Sequence, residues 1–288
     1  MIDASDVALI FEGGGMRASY TAPVATRLLR EGVQFGWVGG ISAGASHTAN
    51  FLSGDPWRTR HSFTDFAADK QFGGWASMAR GRGYFNAAYI YEGSGEAMPY
   101  DFAAFEANPA ELHIEALRAD TGETVAWNRA DIHDAGDLMV RVRASSTIPG
   151  AMVPPRIDGV EYVDGAMGTS GGLLIDAAEK AGYSRFVVVC SRPRSYRKPE
   201  VSRPRAARGL LRSRPAVAEA MIARPAKYNA SKDRILELER EGRAKVFFPD
   251  VMPVGTGERS VDRLVASYEQ GESQFAGEWE GWREFLGV

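Results

Sequence analysis

Gly39–Gly40–Ile41–Ser42–Ala43–Gly44–Ala45 decides how the rest of this chain reads. It contains Gly40-x-Ser42-x-Gly44, the spacing of a nucleophile elbow, in which a serine sits on a tight turn between a strand and a helix. The flanking glycines matter because side chains there would clash where strand and helix cross. The apolar Trp37–Val38 before the motif suits the end of a short buried strand. Ala43–Ala45, then Ala49 to Leu52, suits a helix after it. The required context is present, although a chain with 32 glycines in 288 residues also produces this spacing by chance.

Upstream, Val7–Phe11 is a continuous apolar run, as expected of a central parallel strand buried on both faces. Glu12–Gly13–Gly14–Gly15–Met16–Arg17 follows it. Ser19 to Glu31 then has helical spacing, with Val24, Leu28 and Leu29 on one side and Pro23 near the first turn, where proline is tolerated. Strand, glycine loop, helix, strand, elbow and helix in succession predict an α/β fold with a mainly parallel sheet. Gly54 to Phe105 is rich in aromatic residues and reads as short helices and loops over one side of that sheet. Its rings either line an apolar pocket as a cap or simply fill core.

Downstream, Leu112–Arg118 and Thr124–Trp127 read as a hairpin, Asp134–Ser145 as a helix, and Arg156–Val163 as a second hairpin turning at Asp158–Gly159. A helix around Leu173–Ala181 precedes a strand at Phe186–Cys190. Tyr228–Arg240 reads as a charged helix, Ala244–Phe248 as a strand, and Val261–Tyr268 and Phe275–Phe285 as two terminal helices.

The length suits one large domain or two small ones, with room for a sizeable core. A net charge of −3 gives no general pull towards nucleic acid, so no such partner is expected. The single cysteine, Cys190, excludes an intramolecular disulfide and any multi-cysteine zinc site, and its apolar run makes it a core thiol. Met1–Asp6 is polar and acidic, so no signal peptide is expected. No apolar run reaches the ~20 residues that span a bilayer. The expected location is cytoplasmic, with any membrane contact peripheral. Residues 192–227 hold eleven Lys or Arg against Glu200 and Glu219. That stretch either faces anionic lipid headgroups or is a solvated insertion.

A serine hydroxyl needs a base to become a nucleophile. The four histidines are His47, His61, His113 and His133. An α/β-hydrolase requires a histidine late in the chain, and none lies beyond residue 133. His47 follows Ser42 too closely to be a conventional third member and stays as the fallback base. The better candidate is a carboxylate acting directly, Asp164, which ends an alternating strand before Gly165. Asp158–Gly159 is the competing Asp-Gly pair, expected to face water in a hairpin turn, and spacing alone leaves the choice open. Gly13–Gly14–Gly15 presents backbone N–H groups at a helix N-terminus, suited to an oxyanion, and Arg17 would strengthen that field. A phosphate loop is the rival, disfavoured because no Gly-Lys-Ser/Thr follows and Gly13-x-Gly15-x-x-Ala18 is a weak dinucleotide signature.

Taken together, these pieces resemble the patatin-like phospholipase family. Glu12–Arg17 is similar to its oxyanion loop, Gly40–Gly44 to its elbow, and Asp164–Gly165–Ala166 to its catalytic Asp-Gly-Gly/Ala motif. Ala144–Pro149 is similar to a segment that the family places before the aspartate, and Arg192–Lys198 with the helical tail resembles one bacterial branch. The resemblance covers roughly residues 5–192 and implies a single patatin-like domain over 1–288, with a catalytic core at 5–192 and a basic segment plus helical extension at 193–288. It implies a three-layer α/β/α patatin-like fold with a mainly parallel central sheet and a helical, aromatic-rich cap. It implies a histidine-free dyad, with Ser42 as nucleophile and Asp164 as base, cleaving fatty-acyl esters of lipids through an acyl-serine. Gly13, Gly14, Gly15 and Arg17 would form or support the oxyanion hole, and Gly40, Gly44 and Gly165 would support the motifs. Such a pair needs no metal or cofactor, and none is expected. Ala18, Glu12 and Leu173–Leu174 depart from residues frequent in the family, but none replaces a reacting group. The alternative is a lipid- or acyl-binding protein that keeps the fold without turnover.

Overall fold

The computed structural model describes residues 2–288. Its strands are β1 (Ile2–Phe11), β2 (Val33–Gly40), β3 (Glu111–Arg118), β4 (Thr124–Asn128), β5 (Arg156–Ile157), β6 (Val160–Asp164), β7 (Arg185–Val189) and β8 (Ala244–Phe247). They form one sheet in the order β5-β6-β3-β2-β1-β7-β8, with β4 also paired to β3. β8, β7, β1, β2 and β3 run parallel to their neighbours in that order. β4, β5 and β6 supply the antiparallel pairs.

The helices are α1 (Ala18–Arg30), α2 (Ala43–Leu52), α3 (Pro56–His61), α4 (Trp75–Ala79), α5 (Phe102–Ala107), α6 (Ala135–Ser146), α7 (Ile175–Lys180), α8 (Pro204–Leu210), α9 (Pro215–Arg240) and α10 (Val261–Leu286). Side chains alternate across a strand, and β1 shows what that does here. Val7, Leu9 and Phe11 join one apolar cluster with Tyr20, Val24 and Leu28 of α1, Phe51 of α2, Val142 of α6 and Trp282 of α10. Ala8 and Ile10 face the opposite cluster, with Ile175 of α7 and Tyr228, Ile235 and Leu238 of α9. The result is three layers, α/β/α. Each fully buried large apolar side chain contributes about 1.5–3 kcal/mol.

Several boundaries differ from the sequence reading. α1 begins at Ala18, one residue before the expected Ser19 and directly after a short turn at Gly15–Arg17, and Pro23 lies inside the helix and not in its first turn. α9 starts at Pro215 and passes straight through Pro225, where the pattern predicted a helix only from Tyr228. An interior proline costs about 3 kcal/mol. Packing outweighs it: Val217 and Ala218 are buried with Leu117, Val163 and Met167, while Ile235 and Leu238 are buried farther along the helix. The two predicted terminal helices are one, α10. Gly271 lies between the two predicted stretches and is a contact: a Cβ there would stand 2.1 Å from the Tyr20 carbonyl oxygen, so its bareness lets α10 lie against α1. The Asp158–Gly159 turn is as expected, with both residues at positive φ and exposed.

Candidate active site

Register brings the motifs to one edge of the sheet. Phe11, the last residue of β1, pairs with Gly40 of β2 and Val189 of β7. Gly40 also pairs with Ile114 of β3. The glycine loop, the elbow and Ser191 therefore leave the sheet side by side. Two residues farther along β3, Ala116 pairs with Asp164 at the end of β6. The antiparallel β6 thus delivers its last residue beside the elbow, whereas Asp158 is left at the outer turn.

The elbow is strained and tightly packed. Ser42 has φ +60° and ψ −127°, and a non-glycine residue in such a region costs about 1–3 kcal/mol. A Cβ on Gly40 would meet the Gly44 carbonyl oxygen at 2.2 Å, and one on Gly44 would meet that of Phe11 at 2.1 Å. Gly44→Ala should therefore lower the urea midpoint, with a loss of at least about 1–3 kcal/mol. Alanine normally favours a helix by about 1 kcal/mol over glycine, so the sign of the change identifies the clash.

One segment braces both candidate residues. The Ser42 N–H donates to Ser145 Oγ at 3.0 Å, and the Asp164 N–H donates to the Thr147 carbonyl at 2.8 Å. Ala144–Pro149 is thus a strut between elbow and carboxylate, a role its sequence did not disclose. Asp164 is buried, and its Oδ1 accepts from the Ala166 N–H at 2.9 Å. Burial pushes its carboxyl above the usual carboxylate range. Arg224, the Ala166 N–H, the Ser42 hydroxyl and Lys198 each pull it partly back. Gly165 packs against the Glu115 carbonyl, which holds the turn onto β3.

Gly13 lies against the elbow: its missing Cβ would stand 2.9 Å from that of Ser42. No described residue accepts from the N–H of Gly13, Gly14 or Ala43. Ala43 was not singled out from sequence, although the residue after an elbow serine commonly supplies an oxyanion donor. Arg17 does not reach the elbow. Its guanidinium donates to the Ser191 carbonyl at 3.2 Å and to Thr256 Oγ1, so it braces the loop from behind. Glu12 is buried beneath, accepting from the Ser191 N–H at 2.7 Å and the Tyr228 hydroxyl at 3.0 Å.

His47 is not placed as a base. It is buried against Phe63 with ring centroids 4.5 Å apart, and its Nε2 is 3.1 Å from Thr21 Oγ1. Burial drives its pKa down to about 3, so the ring stays neutral. Ser42 instead borders a cavity of about 80 Å³. Its lining includes Phe63, Phe66, Phe72 and Phe85 of the cap and Val142 of α6. Those four rings do more than fill core, whereas Trp57 and Trp75 of the same stretch are exposed and do not line this cavity.

Fold and site together define an α/β/α protein with a strained serine elbow and a buried carboxylate at one sheet edge. The patatin-like phospholipase family model matches residues 9–175, and the chain belongs to that family of lipid acyl hydrolases. A second model, a domain of unknown function, matches residues 214–287. The uncharacterized protein YjjU of Escherichia coli (strain K12) is 27% identical over 198 residues. That match covers 65% of this chain and 52% of YjjU, so the chain spans about half the length of the curated relative. The crystal structure of VipD from Legionella pneumophila aligns with a TM-score of 0.48 at 12% identity, over 96% of this chain and 67% of VipD.

Proposed function

We propose that the protein is a serine acyl hydrolase that cleaves fatty-acyl esters of lipids with a Ser42–Asp164 dyad. The observation that carries this reading is that the buried Asp164 carboxyl has the Ser42 hydroxyl as a neighbour, while Ser42 borders an apolar cavity. Ser42 Oγ attacks the acyl carbonyl as Asp164 takes its proton. The N–H groups of Gly13, Gly14 and Ala43 receive the oxyanion, a type of contact worth about 10²–10³ in rate per donor. The intermediate expels the alcohol, which takes the proton from Asp164, and leaves an acyl-serine. Water then attacks with Asp164 again as base, releasing the fatty acid. The cavity under the cap takes the acyl chain.

Release of free fatty acid from dispersed phospholipids, lysophospholipids and acylglycerols tests this directly. Wild type should release acid at a rate proportional to enzyme. Silence across the panel from folded protein would move the protein to the acyl-binding alternative.

Substrate of this kind lies in membranes. No helix of the described residues is long and apolar enough to cross one. We propose peripheral contact through α8 and its flanks. Leu210 is 82% exposed there, beside the exposed Arg203, Arg205 and Arg212. Arg208 is engaged by Glu219. Each free cation near an anionic surface contributes about 1 kcal/mol. Neutralising all three should weaken binding to phosphatidylserine vesicles by roughly 100-fold in a sedimentation assay. Unchanged binding would leave the segment a solvated insertion.

A further inference from the structure

Four of the eleven cations of the basic segment are neutralised by carboxylates, and Arg203, Arg205 and Arg212 are exposed to solvent. Arg194 pairs with Glu239, Arg197 with Asp233, Arg208 with Glu219 and Arg214 with Glu161. Arg192, Lys198 and Arg224 differ, and Arg17 of the glycine loop resembles them. None of these four forms an ion pair with a described residue, and neutral groups hold them in place instead.

Arg224 Nε donates to the Gly171 carbonyl at 3.2 Å. One of its terminal nitrogens lies 3.6 Å from where a Gly172 Cβ would stand, a point 3.2 Å from the Cβ of Ala166. Ala166 is the residue whose N–H holds Asp164. Lys198 exchanges hydrogen bonds with Asn229 through its backbone, and its Nζ lies 5.5 Å from the centre of the Tyr228 ring. The Arg192 guanidinium lies 4.5 Å from the centre of the Tyr196 ring, which packs edge-on against Tyr228. Arg17 grips Ser191, the residue before Arg192. Three chain segments, the glycine loop, residues 192–198 and α9, thus bring four cations together, with Arg224 and Lys198 facing Asp164.

Their mutual repulsion is visible. Burial lowers Lys198 to about 8, and Arg224, Arg17 and Arg192 all add to the fall. Burial and then Arg192 lower Arg17. The carboxylates nearby are Glu12 and Asp164, both buried. Glu12 is already occupied by Ser191 and Tyr228. Glu12 offsets part of the repulsion at Lys198 and Arg17, but four cations against two buried carboxylates leave an excess of positive charge that a bound anion relieves. None of the four lines the apolar cavity, so the anion does not belong to the acyl side of the ester.

We infer that Arg192, Lys198 and Arg224, backed by Arg17, form a subsite for a phosphate monoester on the alcohol side of the scissile ester. The inference rests on the acyl-hydrolase reading for its reaction, but not for its binding. Because these four cations bring no free carboxylate of their own, a dianionic phosphate fits better than a zwitterionic phosphocholine, whose ammonium would face them. Arg192, Lys198 and Arg224 lie outside residues 9–175, so headgroup selection would be supplied mainly by the later part of the chain, with Arg17 the one member inside them.

The test has two arms, both on the full chain. In the first, kcat/KM is measured for 1-acylglycerol 3-phosphate, the matching phosphocholine and the neutral monoacylglycerol, each below its aggregation concentration. The phosphate monoester should lead by tenfold or more, and Arg192→Gln or Arg224→Gln should bring the ratio to the neutral ester close to one. Arg197→Gln removes the same charge from an outward ion pair and should leave that ratio unaltered. In the second arm, glycerol 3-phosphate and inorganic phosphate are titrated into Ser42→Ala by calorimetry. Glycerol 3-phosphate should bind, and Arg192→Gln in that background should weaken it by on the order of tenfold. Binding without any ester turnover in wild type would sink the hydrolase reading and leave the anion site standing. Turnover with no headgroup preference, insensitive to Arg192→Gln, would overturn the inference. Equal binding of inorganic phosphate, again with no ester preference, would assign the site to free phosphate and overturn the headgroup role.

Discussion

Ser42→Ala is expected to lower ester turnover by about 10⁶-fold, the scale on which loss of a nucleophile acts when its partners work as a unit. The comparison is clean because the substitution removes only Oγ. The Ser42 backbone N–H keeps its bond to Ser145, Gly40 and Gly44 keep their contacts, and the Ala43 N–H remains in place. Alanine must adopt the same positive φ, so the strain is retained and stability should stay within about 1 kcal/mol of wild type. Intact mass after exposure to a fluorophosphonate gives the direct measurement. Wild type should gain one adduct and Ser42→Ala none. An adduct that persists in Ser42→Ala would place the reactive nucleophile elsewhere and remove the elbow from the mechanism.

Much of this arrangement could be read from residue order because its parts are local. A glycine two residues either side of Ser42 reports a strand–helix crossing, and the structure shows that crossing at Gly40 and Gly44. Asp158–Gly159 is a hairpin turn for reasons contained in those two residues. What sequence could not resolve was decided at long range. Asp164, and not Asp158, lies beside the elbow because β6 pairs with β3 beyond Gly40's partner, a register with no local signature. The start of α9 at Pro215 and the continuity of α10 through Gly271 are missed by the sequence pattern because tertiary packing sets both. Arg192 and Arg194 are nearly adjacent in the basic segment, yet one stacks on Tyr196 unpaired and the other is tied to Glu239. Charge counting cannot separate them, because the distinction lies in which residues α9 brings opposite.

Asp164→Asn should separate rate from stability, raising one loss and one gain from a single atom change. A base in this role contributes about 10²–10⁴ in rate, and asparagine cannot take the serine proton. The Ala166 N–H still finds an oxygen at Oδ1, so the turn is kept. The carboxyl's pKa is raised in the folded protein, chiefly by burial, against the cationic pull of Arg224 and Lys198. Tyr91, whose own pKa Asp164 helps to raise, faces it from the cap. Below the unfolded value, near 3.9, both states are protonated and the group is neutral to stability. Between that value and the raised one, the folded state holds a proton that the unfolded state has lost, so stability falls as pH rises. Above the raised value the cost of the buried charge is complete. Asparagine never carries that charge. The difference in Tm between Asp164→Asn and wild type should therefore be near zero at low pH and open in favour of the variant as pH rises. Wild-type activity should rise through the same window, since only the carboxylate is a base. A shared midpoint for Tm difference and kcat/KM would tie both to one group. If activity instead followed His47, its midpoint would lie near pH 3 and would survive Asp164→Asn. A variant no more stable than wild type at neutral pH would mean that the buried carboxylate is compensated by its cations, and activity alone would then have to identify the base.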